Sequence, residues 1–454
     1  MSGKMNWNQL LSNKRLGQEE MTTRRDDRTE FQRDYDRLIF SAPFRRLQNK
    51  TQVFPLPGSI FVHNRLTHSL EVSSVGRSLG NDVSRLLLER HPELVDTHLT
   101  ELGSIVSAAC LAHDLGNPPF GHSGEKAIGT YFSEGDGHFL KSYVCEQTGD
   151  CLNRKQWEDL IHFEGNANAF RLLTHHFNGR RKGGFVMTYS TLASIVKYPF
   201  TSDLAGEKRK FGFFRSEMGD FCKIADELGI LKLEAPDGAL RYARYPLVYL
   251  VEAADDICYQ VMDIEDSHKL KLLTTEQVKQ LFLNYFDGDR RNHIEERMET
   301  LDDVNEQVVY LRSCVINCLE QECVRVFVEH EDEFLSGIFP GPLIHHIAEV
   351  PRLAYKECEK VAYSHIYHCK DVVDIEIAGY KVITQLTDLM IKAVTQPEKA
   401  FSQLLINRVS SQYQIDAPTL YERVMAVLDY ISGMTDVYAL DLYRKINGMS
   451  LPDV

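Results

Sequence analysis

The chain has 454 residues, 43% of them hydrophobic and 26% charged, which is an ordinary globular composition with ample length for a large core. Its formal net charge of -14, from 65 acidic and 51 basic residues, argues against a nucleic-acid footprint over the whole surface. No apolar run reaches the roughly 18 residues that a membrane span needs, and the N-terminus lacks an apolar signal segment. We therefore expect a soluble, cytoplasmic protein that makes no membrane contact.

Helical patterns dominate the chain from end to end. Apolar positions recur with a period near 3.6 residues, and strand-like alternation is confined to a short candidate at 185–188. Clusters of Gly, Ser, Asp and Lys predict loops at 133–138, 178–184, 201–212 and 234–239. The predicted helices are 66–89, 102–115, 164–177, 246–264, 303–329, 351–368, 378–394 and 418–432. The fold class predicted from these patterns is all-α.

Two minor features have ordinary interpretations. The ten cysteines show neither Cys-x-x-Cys pairs nor zinc-ribbon spacing, so we expect reduced and mostly buried thiols. The basic runs 180–182 and 208–210 are typical of solvated loops, although either could form a local basic patch.

The predicted helix 246–264 carries an acidic face. Its apolar side chains lie within about 40° of one direction, which indicates a buried helix. The opposite face carries Glu252, Asp255, Asp256, Tyr259 and Asp263. Clustered carboxylates near an interior raise one another's pKa values unless a cation offsets them. A metal ion, or a set of arginines and lysines, is the natural partner for this face.

Two histidines extend this acidic face into a candidate metal site. His68 lies near the start of its predicted helix, and His113-Asp114 lies at the end of the next one, before Gly116-Asn117-Pro118. Imidazole nitrogen with carboxylate oxygen suits Mn²⁺, Fe²⁺, Zn²⁺ or Mg²⁺. Taken singly, each element has a common surface interpretation. Their joint presence in this order favours metal-assisted hydrolysis.

The order His, His-Asp, Asp is the signature of the HD-domain metal-dependent phosphohydrolases, and flanking segments narrow the resemblance. The chain resembles the dGTP triphosphohydrolase family over most of its length, from about residue 30 to 440. The segments that carry this resemblance are 44–53, 64–69, 112–122, 163–166, 252–257 and 429–436.

The resemblance implies a fold and a division of the chain. The expected fold is an HD-domain helical hydrolase with additional C-terminal helices. Residues 1–60 would form an N-terminal helical arm that contributes to the site, and 61–270 the metal-binding catalytic core. Residues 271–454 would form a C-terminal helical region that completes the nucleotide pocket and makes oligomer contacts.

The resemblance also implies which residues hold the metal. The matching ligands are His68, His113, Asp114 and Asp255. Asp255 is preferred to Asp256 because the family's ligand precedes a tyrosine by four residues and an aspartate by eight, here Tyr259 and Asp263. Helical spacing agrees with this choice but also places Asp256 on the polar side. One divalent metal per site is expected, Mn²⁺ or Mg²⁺ foremost, with Fe²⁺, Zn²⁺, Co²⁺ or Ni²⁺ as alternatives.

The implied reaction is hydrolysis of a deoxynucleoside triphosphate, dGTP foremost, at the α-phosphorus to give the deoxynucleoside and tripolyphosphate. His122 would transfer the proton, and Glu125, three residues later, would orient it. Where some relatives carry an arginine after the Gly-Met-Thr-Asp element, this chain has Val437, so no role of that arginine transfers. The implied substrate contacts are Gln52 and Val53 to the sugar, Arg65 and Lys197 to phosphate, Tyr259 and Asp263 to phosphate and sugar, and Tyr367 and Glu376 to the base.

Two other functions remain open from the sequence. An HD-type phosphodiesterase or nucleotidase acting on monophosphates would use the same metal ligands, although it would need fewer cations than Arg65 and Lys197 supply. A nucleotide-sensing or single-stranded-DNA-binding assembly with weak catalysis is a third possibility. The resemblance further implies a homo-oligomer, a tetramer or hexamer, with single-stranded DNA or a nucleotide as a possible effector.

Overall fold

The computed structural model describes residues 3–20, 27–54, 62–145, 148–236 and 238–450. The predicted N-terminal arm and the predicted loop at 234–239 lie partly outside these residues. The α-helices are α1 Trp7–Leu10, α2 Glu30–Ile39, α3 Ala42–Arg46, α4 Arg65–Arg90, α5 Leu102–Ala112, α6 Gly121–Ser133, α7 Arg154–Ile161, α8 Gly165–Thr174, α9 Tyr189–Ser194, α10 Met218–Leu228, α11 Pro246–Lys269, α12 Thr275–Leu283, α13 Gly288–Glu299, α14 Val304–Glu329, α15 Glu331–Leu335, α16 Glu349–Val361, α17 Lys370–Thr395, α18 Ala400–Arg408, α19 Leu420–Ser432 and α20 Asp436–Ile446.

Shorter elements connect these helices. The 3-10 turns are Leu47–Asn49, Pro92–Leu94, His98–Glu101, Asp136–Lys141, Ser202–Leu204 and Leu343–His345, and Ala362–Ile366 forms a π-helical turn after α16. Strands β1 Lys232–Leu233 and β2 Arg241–Tyr242 pair antiparallel, with Lys232 opposite Tyr242. The all-α prediction is therefore confirmed, with additional helices at the C-terminal end.

Three local predictions are wrong. The segment 185–188 is not a strand, because Val186 adopts a left-handed conformation with φ of +56° and only Thr188 forms a bridge, to Arg15. The predicted helix 102–115 ends at Ala112, so the histidine and aspartate after it lie in a turn. The predicted helix 351–368 ends at Val361, where the π-helical turn begins.

The buried apolar residues form two cores. In the first, α4 packs against α5, α11 and α14. In the second, α17 packs against α6, α19 and α20. α5 is the central helix of the first core because ten of its eleven residues are buried, from Leu102 to Ala112 with Ser104 as the exception. The elements that carry the predicted site residues come from both cores, so the site lies where the cores meet.

The start of α4 is determined by a capping box. Asn64 Oδ1 accepts a hydrogen bond from the Thr67 amide at 2.9 Å, and Thr67 Oγ1 accepts one from the Asn64 amide at 3.1 Å. This cap begins the helix at Arg65 and places His68 in its first turn. Among the described residues, no helix combines the length and apolar character required to cross a membrane.

Candidate metal centre and catalytic pair

Three separate helices bring four candidate metal ligands to one point. His68 Nε2 lies 3.1 Å from Asp255 Oδ1, and His113 Nε2 lies 3.5 Å from the same oxygen. Asp114 Oδ1 lies 3.7 Å from His113 Nε2, and the candidate ligand atoms of His68, His113 and Asp114 all lie within 4.8 Å of one another. α4, the end of α5 and the middle of α11 therefore converge on a single cluster of two imidazoles and two carboxylates.

The hydrogen bonds around His113 prepare its other nitrogen for a metal. His113 Nδ1 lies 2.6 Å from the carbonyl oxygen of Cys110, which can only accept, so Nδ1 carries the hydrogen. In the neutral ring, Nε2 then presents its lone pair to the cluster. This atom is buried and has no hydrogen-bond partner among the described residues. An orphaned, correctly oriented imidazole nitrogen beside two carboxylates fits a divalent cation.

Electrostatics in the cluster favour a cation as well. Burial raises the pKa of Asp255, but the His113 and His68 imidazoles outweigh it and hold that pKa well below its usual range. Burial lowers the pKa of His113, but Asp114 and Asp255 raise it to about 9. The carboxylates therefore favour a proton on the imidazole between them. A divalent cation would balance the same negative charge and release that proton.

A second layer of side chains holds Asp114 in place. Arg65 Nη1 donates to Asp114 Oδ2 at 2.8 Å, and Asn117 Nδ2 donates to Asp114 Oδ1. The sequence presented Arg65 only as a phosphate contact. In the structure its buried guanidinium also restrains the orientation of the candidate ligand Asp114, which is a recurrent arrangement around metal sites.

His122 and Glu125 form a hydrogen-bonded pair on the first turn of α6. His122 Nδ1 lies 2.8 Å from Glu125 Oε2, and Glu125 Oε1 accepts the Gly165 amide at 2.6 Å. The His122 side chain is 81% exposed to the cavity and solvent, whereas Glu125 is buried. The hydrogen bond and charge of Glu125 raise the pKa of His122. The pair thus presents an oriented imidazole that favours its protonated form.

Two glycines are required where this pair meets the metal cluster. At Gly165, a Cβ atom would lie 2.1 Å from Asn117 Oδ1 and 2.6 Å from Glu125 Oε1. Gly121 has φ of +56°, and a Cβ atom there would lie 2.4 Å from Arg65 Nη2. Any larger residue at either position would push apart the groups that support Asp114 and His122.

Ten of the predicted site residues line one cavity of about 280 Å³. They are Gln52, Arg65, His68, His113, Asp114, His122, Glu125, Lys197, Asp255 and Tyr259. Lys197 Nζ lies 3.0 Å from Glu252 Oε1, and this carboxylate raises the pKa of Lys197 despite its burial. Gln52 Oε1 is buried with no hydrogen-bond partner among the described residues, so it is available to a ligand.

Four predicted contacts lie outside the lining of this cavity. Val53 packs on the first core, and the Glu376 side chain is exposed on α17. Tyr367 donates a hydrogen bond to Asp263 Oδ2 at 2.6 Å and stacks on Tyr259, with ring centroids 6.0 Å apart. Burial raises the pKa of Asp263 to about 8. Tyr259 thus connects the cavity to the Tyr367–Asp263 pair behind it.

The cavity also contains residues to which the sequence assigned no role. Lys210 Nζ lies 2.7 Å from Glu164 Oε1 and 3.9 Å from Glu125 Oε2, so the interpretation of the whole run 208–210 as solvated loop is wrong for this residue. Asn117, which marked a helix end, supports Asp114. Asn166 and Tyr198 line the wall without an assigned role. In the sequence, the only indication that Lys210 belongs to the site was its place in the basic run 208–210.

Family comparisons agree with this geometry. The model described as HD domain matches residues 65–197, and the model described as Phosphohydrolase-associated domain matches residues 348–445. The first match contains His68, His113, Asp114, His122 and Glu125, and the second contains helices of both cores. Helical fold and site together define an HD-domain phosphohydrolase.

Curated relatives specify the family. A "Deoxyguanosinetriphosphate triphosphohydrolase-like protein" of Synechocystis sp. is 38% identical over 98% of this chain and its own whole length. One of the same name from Pseudomonas aeruginosa is 37% identical over 99% of the chain and its whole length. A "Deoxyguanosinetriphosphate triphosphohydrolase" of Yersinia enterocolitica is 30% identical over 92% of the chain and 93% of its own. The chain belongs to the deoxyguanosinetriphosphate triphosphohydrolase-like family of HD-domain enzymes.

Proposed function

We propose that this enzyme hydrolyses deoxynucleoside triphosphates, dGTP foremost, to the deoxynucleoside and tripolyphosphate. One observation carries the proposal: a single cavity combines the two-histidine, two-carboxylate cluster with the cationic side chains of Arg65, Lys197 and Lys210. The names of the relatives support the same substrate class. Three cations beside one metal cluster suit a triphosphate better than a monophosphate, because each added phosphate brings negative charge into the cavity.

His68, His113, Asp114 and Asp255 would hold the metal, with Mn²⁺ or Mg²⁺ preferred. When bound, a divalent ion supplies Lewis-acid polarisation of a phosphoryl oxygen and lowers the pKa of water. Imidazole and carboxylate donors accept several divalent ions, so Fe²⁺, Zn²⁺, Co²⁺ and Ni²⁺ remain alternatives. Metal analysis of protein purified without chelators, followed by reconstitution with each ion, tests this choice.

In the proposed reaction a bond forms between a water oxygen and the α-phosphorus, and the bond from that phosphorus to the 5′-oxygen breaks. The two protons of the water pass to solvent, from which His122 is reprotonated after it donates its own. His122 would donate the proton that the departing 5′-oxygen needs, because its pKa is raised and its ring faces the cavity. Glu125 keeps the ring oriented and stabilises its protonated form. Lys197 and Lys210 would neutralise phosphate charge in exchange for their present carboxylate partners. Arg65 would contribute its positive charge while its Nη1 continues to hold Asp114.

At the other end of the substrate, Gln52 would hydrogen-bond the sugar through its unpaired buried oxygen. Val53 would pack beside it, and Tyr259 and Asp263 would complete the sugar and phosphate contacts. Tyr367 and Glu376 would contact the base. A site that hydrogen-bonds a sugar discriminates strongly when a polar group is left unpaired in the wrong complex.

The direct test is a panel of the four dNTPs and GTP with Mn²⁺ or Mg²⁺ in ¹⁸O-labelled water, with the products separated by chromatography. We expect tripolyphosphate that carries one ¹⁸O and an unlabelled deoxynucleoside. His113→Ala serves as the inactive control. Orthophosphate or pyrophosphate as the first product would contradict the proposal and favour the monophosphate-type hydrolase.

Regulation and assembly belong to the same proposal. We propose a homo-oligomer, a tetramer or hexamer, with the C-terminal helices at its contacts and a nucleotide or single-stranded DNA as effector. The exposed run 180–182 is the local basic surface that such an effector could use. Light scattering measures the mass, and binding of single-stranded DNA over a salt series measures the effector, since phosphate contacts weaken steeply with salt. Absent binding would remove the DNA effector from the proposal.

A further inference from the structure

Asp436 connects three distant parts of the chain from a buried position behind the cavity. It is the first residue of α20 and is 6% exposed. Its Oδ2 accepts the Thr51 amide at 2.8 Å, and its Oδ1 accepts the Phe120 amide at 2.9 Å. Thr51 directly precedes Gln52, and Phe120 lies two residues before His122. A single C-terminal carboxylate therefore holds the backbone of two segments that deliver site residues.

Lys50 makes the complementary connection. Its ammonium, in a side chain that is 3% exposed, donates to the carbonyl oxygens of Asn117 and of Ser432, the last residue of α19. Asn117 in turn donates from its side chain to Asp114. Burial, together with nearby Arg46, lowers the pKa of Lys50 to about 7. Burial of a charged lysine is costly unless its donors are paired, and here the two acceptors join the turn after α5 to the end of α19.

The segment between these two attachments is strained. Phe120 has φ of +62°, a left-handed conformation that a bulky residue rarely adopts. Such a backbone persists only where the surroundings determine it. The Asp436 carboxylate holds the Phe120 amide, and the Phe120 side chain lies directly against Gly379 of α17. This turn sets the direction in which α6 begins and therefore where His122 points.

We propose that Lys50 and Asp436, which we call the buried clasp, are positioning residues for the reaction. Neither group touches the metal cluster. Asp436 orients the turn that leads into α6 and His122, and it orients the segment that carries Gln52. Lys50 orients the backbone of Asn117, whose side chain in turn holds Asp114. The C-terminal helices thus set the geometry of a site whose metal ligands come from α4, α5 and α11.

The two halves of the clasp have separable effects. Removing the Asp436 carboxylate should reduce turnover without reducing metal affinity, because its hydrogen bonds position His122 and do not support Asp114. Removing Lys50 should weaken metal binding, because its contact leads to Asp114. Support of a metal ligand by a hydrogen-bonding partner is typically worth about 10- to 100-fold in metal affinity or activity.

The test compares Asp436→Asn and Lys50→Met with two controls on α20. Asp441→Asn makes the same substitution on the same helix, where Asp441 pairs with Lys445 at 2.7 Å on the outer face. Leu442→Ala removes a buried apolar side chain of α20 and leaves the Asp436 carboxylate in place. Metal content, kcat, KM and melting temperature are measured for each full-length variant.

We expect Asp436→Asn to lower kcat at least about 10-fold through His122 and to raise KM through Gln52, with little change in Mn²⁺ content. Lys50→Met should raise the dissociation constant for Mn²⁺ by about 10-fold or more. Lys50→Arg keeps a positive charge at this position and should therefore raise that constant by less. Asp441→Asn should behave as the parent enzyme. Leu442→Ala and Asp436→Asn are compared at an equal fall in melting temperature. If both variants then lose the same factor in kcat, the role of Asp436 is purely structural and the proposal is overturned.

This inference rests on the proposed function for its kinetic readout, so a second readout is independent of it. Hydrogen exchange of the peptide that contains the Phe120 amide should be faster in Asp436→Asn than in the parent or in Asp441→Asn. Unchanged exchange would refute the clasp whatever the substrate. If exchange is faster in Asp436→Asn but the parent protein hydrolyses no dNTP, the proposed function is refuted while the positioning role of the clasp is supported.

Discussion

The metal cluster, here called the metal end, and the residues beyond the cavity lining that the proposed function assigns to the base, here called the base end, are constructed differently. At the metal end, His113 is oriented by a backbone carbonyl, and Asp114 is held by both Arg65 and Asn117. At the base end, the Tyr367 hydroxyl donates to Asp263, its ring stacks on Tyr259, and the residue comes directly after a π-helical turn, whereas the Glu376 side chain is exposed. The candidate ligands at the metal end have hydrogen-bonding partners that fix their direction, whereas Glu376 at the base end is exposed to solvent.

This difference suggests separate constraints on chemistry and on recognition. Phosphoryl chemistry requires its groups in place to within a fraction of an ångström, because misplacement costs rate directly. Base recognition can tolerate adjustment of a side chain during binding. Substitutions test whether the metal end controls rate and the base end controls preference. In order of decreasing expected effect, they alter the proposed metal site, proton donor, phosphate contact and base end.

The largest effect is expected at Asp255, the proposed metal ligand on α11. Asp255→Asn should abolish metal binding and lower turnover by roughly 1000-fold or more, because a catalytic metal contributes several kcal/mol of transition-state stabilisation. Asp256→Asn is the matched control, since burial raises the pKa of this neighbouring carboxyl to about 8 and favours its neutral form, a poor metal ligand. Metal content and kcat are measured for both variants, and only Asp255→Asn should lose them. Loss of metal in Asp256→Asn alone would reverse the assignment.

The next largest effect is expected at His122, the proposed proton donor. His122→Ala should retain its metal and lose about 10²- to 10⁴-fold in kcat, the usual contribution of general acid catalysis. Glu125→Gln removes the group that raises the pKa of His122, so the protonated imidazole would persist only to a lower pH. The alkaline limb of the kcat profile should therefore move to lower pH in Glu125→Gln. An unmoved limb would show that another group controls it.

A smaller effect is expected from a phosphate contact. Lys197→Met should raise KM for dGTP by about 10- to 100-fold with kcat nearly unchanged, because loss of a charged hydrogen bond weakens binding of substrate and transition state alike. Lys392→Met, which removes a lysine paired with Asp388 at the surface, is the control. Initial rates over a range of dGTP concentrations measure both variants. An unchanged KM would remove Lys197 from the phosphate contacts.

At the base end, loss of one hydroxyl should alter preference more than rate. Tyr367→Phe should change the ratio of kcat/KM values among the four dNTPs by up to about 10-fold, the range of a single neutral hydrogen bond. Metal content should stay that of the parent. Tyr363→Phe, at an exposed neighbouring position, should have no effect. Equal effects of both substitutions on all four substrates would contradict a role in base selection.

The smallest effect concerns stability near the base end. Burial lowers the pKa of His63, but hydrogen bonds to Asp266 and Glu71 raise it to about 10. The protonated ring therefore stabilises the folded state fully below its ordinary pKa near 6.5, and this contribution is lost as the pH rises towards 10. His63→Gln should lower the free energy of unfolding by about 1–3 kcal/mol at roughly pH 6 and by less at about pH 10.

Urea titrations at the two pH values measure this difference. His330→Gln is the control, because His330 pairs with Glu333 at the surface, where such pairs contribute about 0–1 kcal/mol. A destabilisation of His63→Gln that does not depend on pH would show that the imidazole acts by packing and not by charge.

Helical geometry in the sequence predicts the acidic face of α11, whereas the choice of metal ligands on it comes from the family resemblance. Asp255, Tyr259 and Asp263 recur every four residues, so they had to share a face of one helix, and the apolar remainder required that helix to be buried. His113 and Asp114 stood at a helix end beside Pro118. Packing of α4, α5 and α11 brings these pieces together, and periodicity alone does not reveal such packing.

Other parts could not be predicted for equally physical reasons. Lys210 occurred in a basic run, and only the fold places Glu164 opposite it. The Asp436 carboxylate reaches amides more than 300 residues earlier in the chain, and no local pattern encodes such partners. Glu376 and Val53 were expected at the nucleotide on the strength of resemblance, and the structure leaves both outside the lining of the cavity, so their roles remain predictions.

The π-helical turn Ala362–Ile366 gives the base end a property that the metal end lacks. A π-helical turn closes its hydrogen bonds one residue later than an α-helix, so it holds about one residue more per turn. Loss of one residue there would restore regular winding and leave Tyr367 facing Asp263, while α4, α5 and α11 would be untouched. The turn is therefore a place where the chain can change its length without moving the residues that follow.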